Sequence, residues 1–340
     1  MFQVEIILFL QSIAGDAVNA FFRFWTVIGH GTGIFAAVLA VMFGFRFRTG
    51  IILAYAAAVN AVVTYFLKDL FALPRPSSMD ARVRLPGRED IPGTPFRDGG
   101  SDRFFGALPR KTLSAFRLDP FDTWGFPSGH TSGAVSFWGS LLTVWRFPWF
   151  RAAAAAALLC IPLSRMVLGR HFLADVLGGY AVGLTVVFGV FRPMRRSRRI
   201  QAWLDREDPS GGKNRETPII LILIAIPPAL LLIPGIDPLG PAFLLGLNLS
   251  VILLRRRGFP ADDGTLLQRI LRVLAAVALF LGARILLTEA AGRLVSEGSR
   301  IFEIFRTVPA LVLCIWGGVE LGIRLGLFKR ADGGAALPAA

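Results

Sequence analysis

The sequence is poor in cysteine, histidine and acidic residues, and each shortage narrows the chemistry that it can support. Its two cysteines, Cys160 and Cys314, both lie in apolar stretches, which argues against a disulfide framework and against a thiolate metal site. Only three histidines occur, and the 23 acidic residues are outnumbered by 37 basic ones. The acidic residues of the polar segment 69–124 lack the spacing of metal ligands. We therefore expect neither a metal nor another cofactor.

The excess of basic residues gives a net charge of +14, but its distribution does not favour nucleic acid. Basic side chains cluster in segments beside apolar stretches and are not interleaved with aromatic residues in a soluble platform. This pattern indicates anionic lipid head groups as the partner. The sequence carries no indication of protein partners.

Long apolar stretches dominate the chain, and a hydrophobic content of 54% is too high for an ordinary soluble domain. Nine stretches approach the length of about 20 residues that a transmembrane helix needs. They cover residues 31–45, 51–67, 131–147, 152–168, 173–191, 217–234, 238–254, 269–288 and 307–327. The opening segment 1–29 is apolar but carries Glu5, Asp16 and Arg23, so we expect an interfacial or re-entrant helix, with a first spanning helix as the alternative. The predicted fold is an all-α, polytopic transmembrane helical bundle.

Charge in the short loops predicts the orientation and the domain boundaries. One set of loop ends is basic, including residues 46–48, 192–199 and 255–257, and the positive-inside rule places this set in the cytoplasm. We expect the inner membrane of a bacterium. The predicted parts are a membrane domain over 1–195 with an extracytoplasmic loop at 69–124, a cytoplasmic linker at 196–216, a C-terminal transmembrane bundle of unknown role at 217–330, and a disordered tail at 331–340.

Three polar motifs stand at the ends of predicted spans that face the extracytoplasmic side. The first contains Lys68 and Arg75, the second runs from Phe126 to His130, and the third from Ser164 to Asp175. Since all three meet one face of the membrane, residues far apart in sequence can share one pocket. The motifs therefore predict an active site at that face.

The cations and the helix start in these motifs suit a phosphate dianion. Lys68, Arg75 and Arg165 are positive charges that can replace a metal, and arginine presents a planar fork to phosphate oxygens. Ser128 and Gly129 begin a predicted helix, where unpaired amides and the helix dipole favour an anion. We expect these five residues to bind the phosphate.

Two histidines and a carboxylate supply the catalytic groups. His171 and Asp175 are four positions apart, which on a helix places them on one face. Asp175 can then hold one imidazole N–H, leaving the other ring nitrogen to attack phosphorus. His130 would protonate the leaving alkoxide and afterwards act as base for water. These residues favour phosphoryl transfer through a phosphohistidine.

At residues 1–195 the chain resembles the type 2 phosphatidic acid phosphatase superfamily. The residues that meet its three patterns are Lys68, Arg75 and Pro76; Pro127, Ser128, Gly129 and His130; and Ser164, Arg165, Gly169, His171 and Asp175. The resemblance implies that His171 is the phosphorylated nucleophile and His130 the proton donor. The four predicted C-terminal spans have no counterpart in the minimal six-helix members.

We therefore expect a phosphoric ester hydrolase, a lipid phosphatase that acts on a phosphomonoester or pyrophosphate. The sequence does not choose among phosphatidic acid, phosphatidylglycerophosphate, a sphingoid base phosphate and a polyprenyl pyrophosphate. Two alternatives stay open. The phosphohistidine can pass to an alcohol, which makes a lipid-linked phosphotransferase, or the C-terminal spans form a transporter or scaffold fused to the phosphatase bundle.

Overall fold

The computed structural model describes most of the chain. The described residues are 1–87, 94, 96, 99–118, 123–204, 213–233, 236–297 and 299–330. Within them every regular element is a helix, which confirms the predicted all-α class, and extended backbone pairs only in an isolated bridge between Pro260 and Arg330. The predicted tail 331–340 and parts of the predicted loop 69–124 and linker 196–216 lie outside the described residues.

The α-helices are numbered α1 to α16 in chain order. They are α1 (Glu5–Ile13), α2 (Asp16–Gly29), α3 (Gly31–Leu39), α4 (Phe47–Phe71), α5 (Pro76–Met79), α6 (Arg110–Leu118), α7 (Gly129–Leu142), α8 (Pro148–Val167), α9 (Leu173–Val186), α10 (Arg192–Arg196), α11 (Arg198–Leu204), α12 (Lys213–Leu231), α13 (Leu239–Arg257), α14 (Leu266–Gly292), α15 (Arg300–Val312) and α16 (Gly318–Arg324). Turns of π-helix follow α3, α9 and α15, at Ala40–Phe45, Val187–Phe191 and Leu313–Gly317.

Six helical segments among the described residues are long and apolar enough to cross a membrane, so the chain is an integral membrane protein. They are Phe47–Met79, Pro148–Val167, Leu173–Arg196, Leu239–Arg257, Leu266–Gly292 and Arg300–Arg324. The predicted opening segment forms α1 and α2, with a bend of 117° between them. They add a seventh span only if they cross the membrane together.

The predicted count of nine spans is not confirmed, because three of the predicted stretches form shorter helices. Two of them are apolar helices at Gly31–Phe45 and Ile219–Leu231, and the third is α7 with 14 residues. An α-helix of that length extends about 21 Å, less than the hydrocarbon core of about 30 Å. Most residues of α7 are also buried, so this helix does not need to face lipid.

The chain forms two compact units that are not successive in sequence. One unit comprises Met1–Ile34 and Val63–Phe188, and the other comprises Phe35–Val62 and Gly189–Ala340. Every predicted site residue falls in the first unit. Residues 35–62 group with the C-terminal spans, and the predicted boundary at residue 195 stays a prediction.

In the first unit, glycines bring α7 and α9 into backbone contact. A Cβ atom at Gly179 would lie 2.7 Å from the carbonyl oxygen of Ser128, and one at Gly183 would lie 2.5 Å from the Cβ atom of Val135. Neither position has room for a side chain, so only glycine permits this approach. The contact holds the start of α7, which carries the second motif, beside the start of α9, which follows His171.

In the second unit, several polar groups of the spans form pairs. Tyr55 donates to Oδ1 of Asn248 at 2.6 Å, and the amide of the Asn248 side chain donates to the carbonyl of Leu223 at 2.7 Å. Glu320 accepts from Arg330 at 3.0 Å through each carboxylate oxygen. Ionisable residues in spans are candidates for function by default, but this ion pair gives Glu320 a structural role.

Candidate active site

The turn between α8 and α9 builds the third motif. The amides of Gly169 and Arg170 donate to the carbonyls of Met166 at 2.9 Å and Arg165 at 2.8 Å. These two bonds form a Schellman motif, which requires a left-handed residue, and Gly169 supplies it with φ of +68°. The amide of His171 also donates to the Arg165 carbonyl, at 3.1 Å. The turn therefore fixes Arg165 and His171 close together.

His171 forms a buried pair with Asp175. Oδ2 of Asp175 lies 3.2 Å from Nδ1 of His171 and accepts from the amide of Phe172 at 2.9 Å. The two residues do not share a helix face as the spacing predicted, because α9 begins at Leu173 and His171 precedes it. Asp175 instead reaches back over the helix start, as an acidic residue in the first turn can. With Nδ1–H donating to the carboxylate, Nε2 of His171 is the nitrogen that can attack phosphorus.

The second motif is tied directly to the third. Ser128 is the N-cap of α7, where its Oγ accepts from the hydroxyl of Thr131 at 3.0 Å and from the Thr131 amide. The amide of Ser128, which we expected to be open to an anion, donates to the backbone carbonyl of Asp175 at 2.9 Å. The amides of Gly129 and His130 follow in the first helical turn, where no preceding helical carbonyl can accept from them. These two amides are therefore placed to bind an anion.

The cations of the first motif hold the segment that leads into the second. Lys68 donates from Nζ to the carbonyls of Trp124 at 2.7 Å and Gly125 at 3.0 Å. Arg75 donates to the carbonyl and the hydroxyl of Thr123, at 2.9 and 2.8 Å. All these acceptors are neutral oxygens, and the bonds position the segment 123–125.

Several positive charges lie close to His171. Burial lowers the pKa of His171 well below its ordinary value, and the positive charges around it lower this pKa further. Those charges belong to Arg75, Lys68 and Arg165. One guanidinium nitrogen of Arg75 also donates to the carbonyl of Arg170, next to His171, at 3.2 Å. The three motifs thus form one electropositive site around a neutral imidazole.

Several buried polar atoms in this site have no hydrogen-bond partner among the described residues. They are Nε2 of His130, Nε of Arg165 and Oδ1 of Asp175. Such atoms are rare in native proteins and call for an explanation, for which a bound ligand is one. Two of the three are nitrogens, which suits an anionic ligand rich in acceptor oxygens.

Motif reasoning missed several neighbours of the site. Thr26 accepts from Nη1 of Arg165 at 2.9 Å although the two are 139 positions apart, and nothing in the sequence signals this contact. The ring of His30 lies 5.6 Å from that of His130. Thr123 binds Arg75, and its position just before the second motif was a usable signal.

Among the described residues, no three side chains of histidine, cysteine, aspartate or glutamate group as a metal site. The helices and the site together define a class of protein. It is an integral membrane protein in which two histidines and three cations lie where the three motifs meet. Residues 49–199 match the family model of the PAP2 superfamily, and this match supports membership of that superfamily. The match suggests phosphatase-type activity on phosphate esters. No curated protein and no solved structure matches the chain.

Proposed function

We propose that the protein is a lipid phosphate phosphatase that hydrolyses a phosphomonoester or pyrophosphate through a phosphohistidine on His171, without a metal. The observation that carries this proposal is the buried pair of His171 and Asp175 inside a ring of cations. A neutral imidazole with one nitrogen held by a carboxylate is a prepared nucleophile. The surrounding charges supply the electrostatic stabilisation that a phosphoryl group needs.

In the first half of the reaction the phosphate dianion binds Lys68, Arg75, Arg165 and the first-turn amides of α7. Nε2 of His171 attacks phosphorus, and the bond from phosphorus to the ester oxygen breaks with its electrons on that oxygen. His130 gives a proton to this oxygen, because an alkoxide is otherwise a poor leaving group at neutral pH. The dianion itself favours the protonated form of His130, since an opposite charge nearby stabilises an imidazolium.

In the second half water attacks the phosphohistidine. His130, now neutral, takes a proton from the water while the new oxygen bond to phosphorus forms and the P–N bond breaks. Inorganic phosphate leaves, and His171 returns to the form that donates its Nδ1–H to Asp175. No electron donor or further reactant is needed.

A lipid substrate fits the surface next to the first motif. Leu70 and Phe71 follow Lys68 in the last turn of α4, and they are 61% and 42% exposed. The Phe71 ring packs against that of Phe126, at the start of the second motif, with centroids 5.0 Å apart. Exposed apolar side chains beside a phosphate-binding cation suit an acyl or prenyl chain.

We further propose the division into a phosphatase-like membrane domain at 1–195 and a C-terminal bundle at 217–330, with the site on the extracytoplasmic face of a bacterial inner membrane. The basic loop ends support this orientation. Intact cells that overproduce the protein should hydrolyse an aryl phosphate that does not cross the membrane. If only broken cells do so, the site faces the cytoplasm.

The test of the reaction is phosphate release by detergent-solubilised protein from a panel of lipid phosphates and pyrophosphates, with His171→Asn and His130→Asn compared. We expect His171→Asn to release none. With an aryl phosphate, whose leaving group needs little protonation, His130→Asn should accumulate an acid-labile phosphoenzyme that His171→Asn never forms. A His171→Asn variant with the activity of the parent would refute the mechanism. Release or transfer only when a lipid alcohol is added would replace hydrolysis by the phosphotransferase reaction.

A further inference from the structure

The helix α2 lies against α8 at the point where α8 carries the third motif. A Cβ atom at Gly29 would lie 2.4 Å from Cγ2 of Ile161, so the two helices approach closely there. One turn earlier, Oγ1 of Thr26 lies 2.8 Å from Oγ of Ser164 and 2.9 Å from Nη1 of Arg165. Residues 1–48, which include Thr26, lie outside the region that matches the family model.

Each hydrogen bond that links Thr26, Ser164 and Arg165 has only one possible direction. Oγ of Ser164 donates its only proton to the carbonyl of Ile161, at 2.6 Å. It therefore accepts from Thr26, whose only proton is used in this bond. Because the guanidinium of Arg165 has donors alone, Thr26 accepts from it with a lone pair. Each bond in the series thus has one direction, and Thr26 is held as an acceptor facing Arg165.

We propose that Thr26 is a positioning residue that aims the guanidinium of Arg165 at the phosphate. This inference rests on the proposed function, in which Arg165 binds the phosphate. Since the guanidinium is planar, holding Nη1 sets the direction of its other donors. Nε of Arg165 is buried and has no hydrogen-bond partner among the described residues, so this donor remains for phosphate.

Other residues of the N-terminal segment also form hydrogen bonds beside the third motif. Nε2 of Gln11 donates to the carbonyl of Val167 at 3.1 Å and to that of Arg84 at 2.7 Å. The amide of Ala174, beyond the nucleophile, donates to the carbonyl of Met1 at 3.3 Å. These contacts fix Met1 and α1 relative to the third motif, and the close approach of Gly29 to Ile161 fixes α2. Thr26 needs this packing if it is to direct Arg165.

The experiment compares Thr26→Val, Thr26→Ser and a matched control, Thr185→Val. Valine removes the hydroxyl and keeps the shape, serine restores the hydroxyl, and the exposed Thr185 hydroxyl bonds only to its own helix, to the carbonyl of Ala181. Steady-state kinetics with the best substrate and inhibition by orthovanadate, a phosphate mimic, are measured on folded protein. We expect Thr26→Val to lower kcat/KM and to weaken vanadate inhibition, each about tenfold, as loss of one bond to a charged group would. Thr26→Ser should restore most of both, and Thr185→Val should match the parent.

A second comparison separates positioning from stability. In Arg165→Lys the fork that Thr26 directs is gone, so adding Thr26→Val should cost little more than Arg165→Lys alone. Should Thr26→Val fail to fold, Thr26→Ala enters the same comparisons. The proposal is overturned if the folded variants show the kcat/KM and vanadate inhibition of the parent, or if the two substitutions multiply independently. If Arg165→Ala is as active as the parent, the proposed function of Arg165 fails, and the role of Thr26 fails with it.

Discussion

Replacing Asp175 by asparagine tests the pair on which the proposed mechanism depends. Both the carboxylate and His171 are buried, and Oδ2 takes two donors at once, Nδ1 of His171 at 3.2 Å and the amide of Phe172 at 2.9 Å. An asparagine side chain has one oxygen and one NH2 group. The amide of Phe172 can only donate, so it requires the oxygen at the position of Oδ2. The same oxygen then still accepts from His171, and the tautomer is kept.

The expected decrease in kcat follows from the change in one hydrogen bond, because the charged acceptor is lost and a neutral acceptor is retained. A hydrogen bond to a charged group contributes about 1.5–3 kcal/mol and a neutral one about 0.5–1.5 kcal/mol. The difference of about 1–1.5 kcal/mol corresponds to a kcat lower by roughly tenfold. If the amide turned its NH2 group toward Nδ1 instead, the wrong tautomer would form, and a loss of about 10⁴ is known for that change in the acid, histidine and serine triad.

The assay is phosphate release at saturating substrate, with trapping of the phosphoenzyme and thermal unfolding in detergent as checks. We expect Asp175→Asn to fold like the parent and to turn over about tenfold more slowly. A rate equal to that of the parent would refute a role for the carboxylate charge. A loss near 10⁴ would refute the argument that the Phe172 amide holds the oxygen in place.

Three further results are expected. Because burial and nearby cations lower the pKa of His171, its neutral form persists below pH 6.5. The acid limb of the pH profile of kcat/KM should therefore lie below that value, and an acid limb near pH 7 or above would contradict this. Gly169→Ala should destabilise the protein by about 1–3 kcal/mol in unfolding measurements, since φ is +68° and the added Cβ would lie 2.5 Å from the Arg84 carbonyl. Gly282→Ala is the control and should not destabilise it, because nothing lies within 4 Å of a Cβ at that position. EDTA should leave activity unchanged while vanadate inhibits; a strong effect of the chelator would disprove the metal-free site.

Much of the site was predictable because its parts are local. Because His171 and Asp175 are four positions apart, their side chains can reach each other whether both lie on one helix or His171 just precedes the helix that carries Asp175. Gly169 in the third motif reflects a left-handed turn that ends α8, and such a turn has a sequence signature. The apolar stretches predicted a helical membrane protein because a bilayer admits few other structures.

The span count was less predictable because hydropathy does not tell a helix that faces lipid from one that is buried by its neighbours. Predicted span 131–147 became α7, a helix of 14 residues that is mostly buried. This helix lies against α8 and α9 in the first unit. Length and burial depend on tertiary packing, which a window of sequence does not contain.

The sequence by itself determined the residue types of the site, the helical class and the family, since each depends on composition or on spacings of a few residues. Only the tertiary structure decided that the Ser128 amide is used by Asp175, that residues 35–62 group with the C-terminal spans, and that Thr26 faces Arg165. Contacts between distant segments arise from how helices pack and where their side chains can reach. No local pattern encodes that choice, because many partners fit the same motif until the fold selects one.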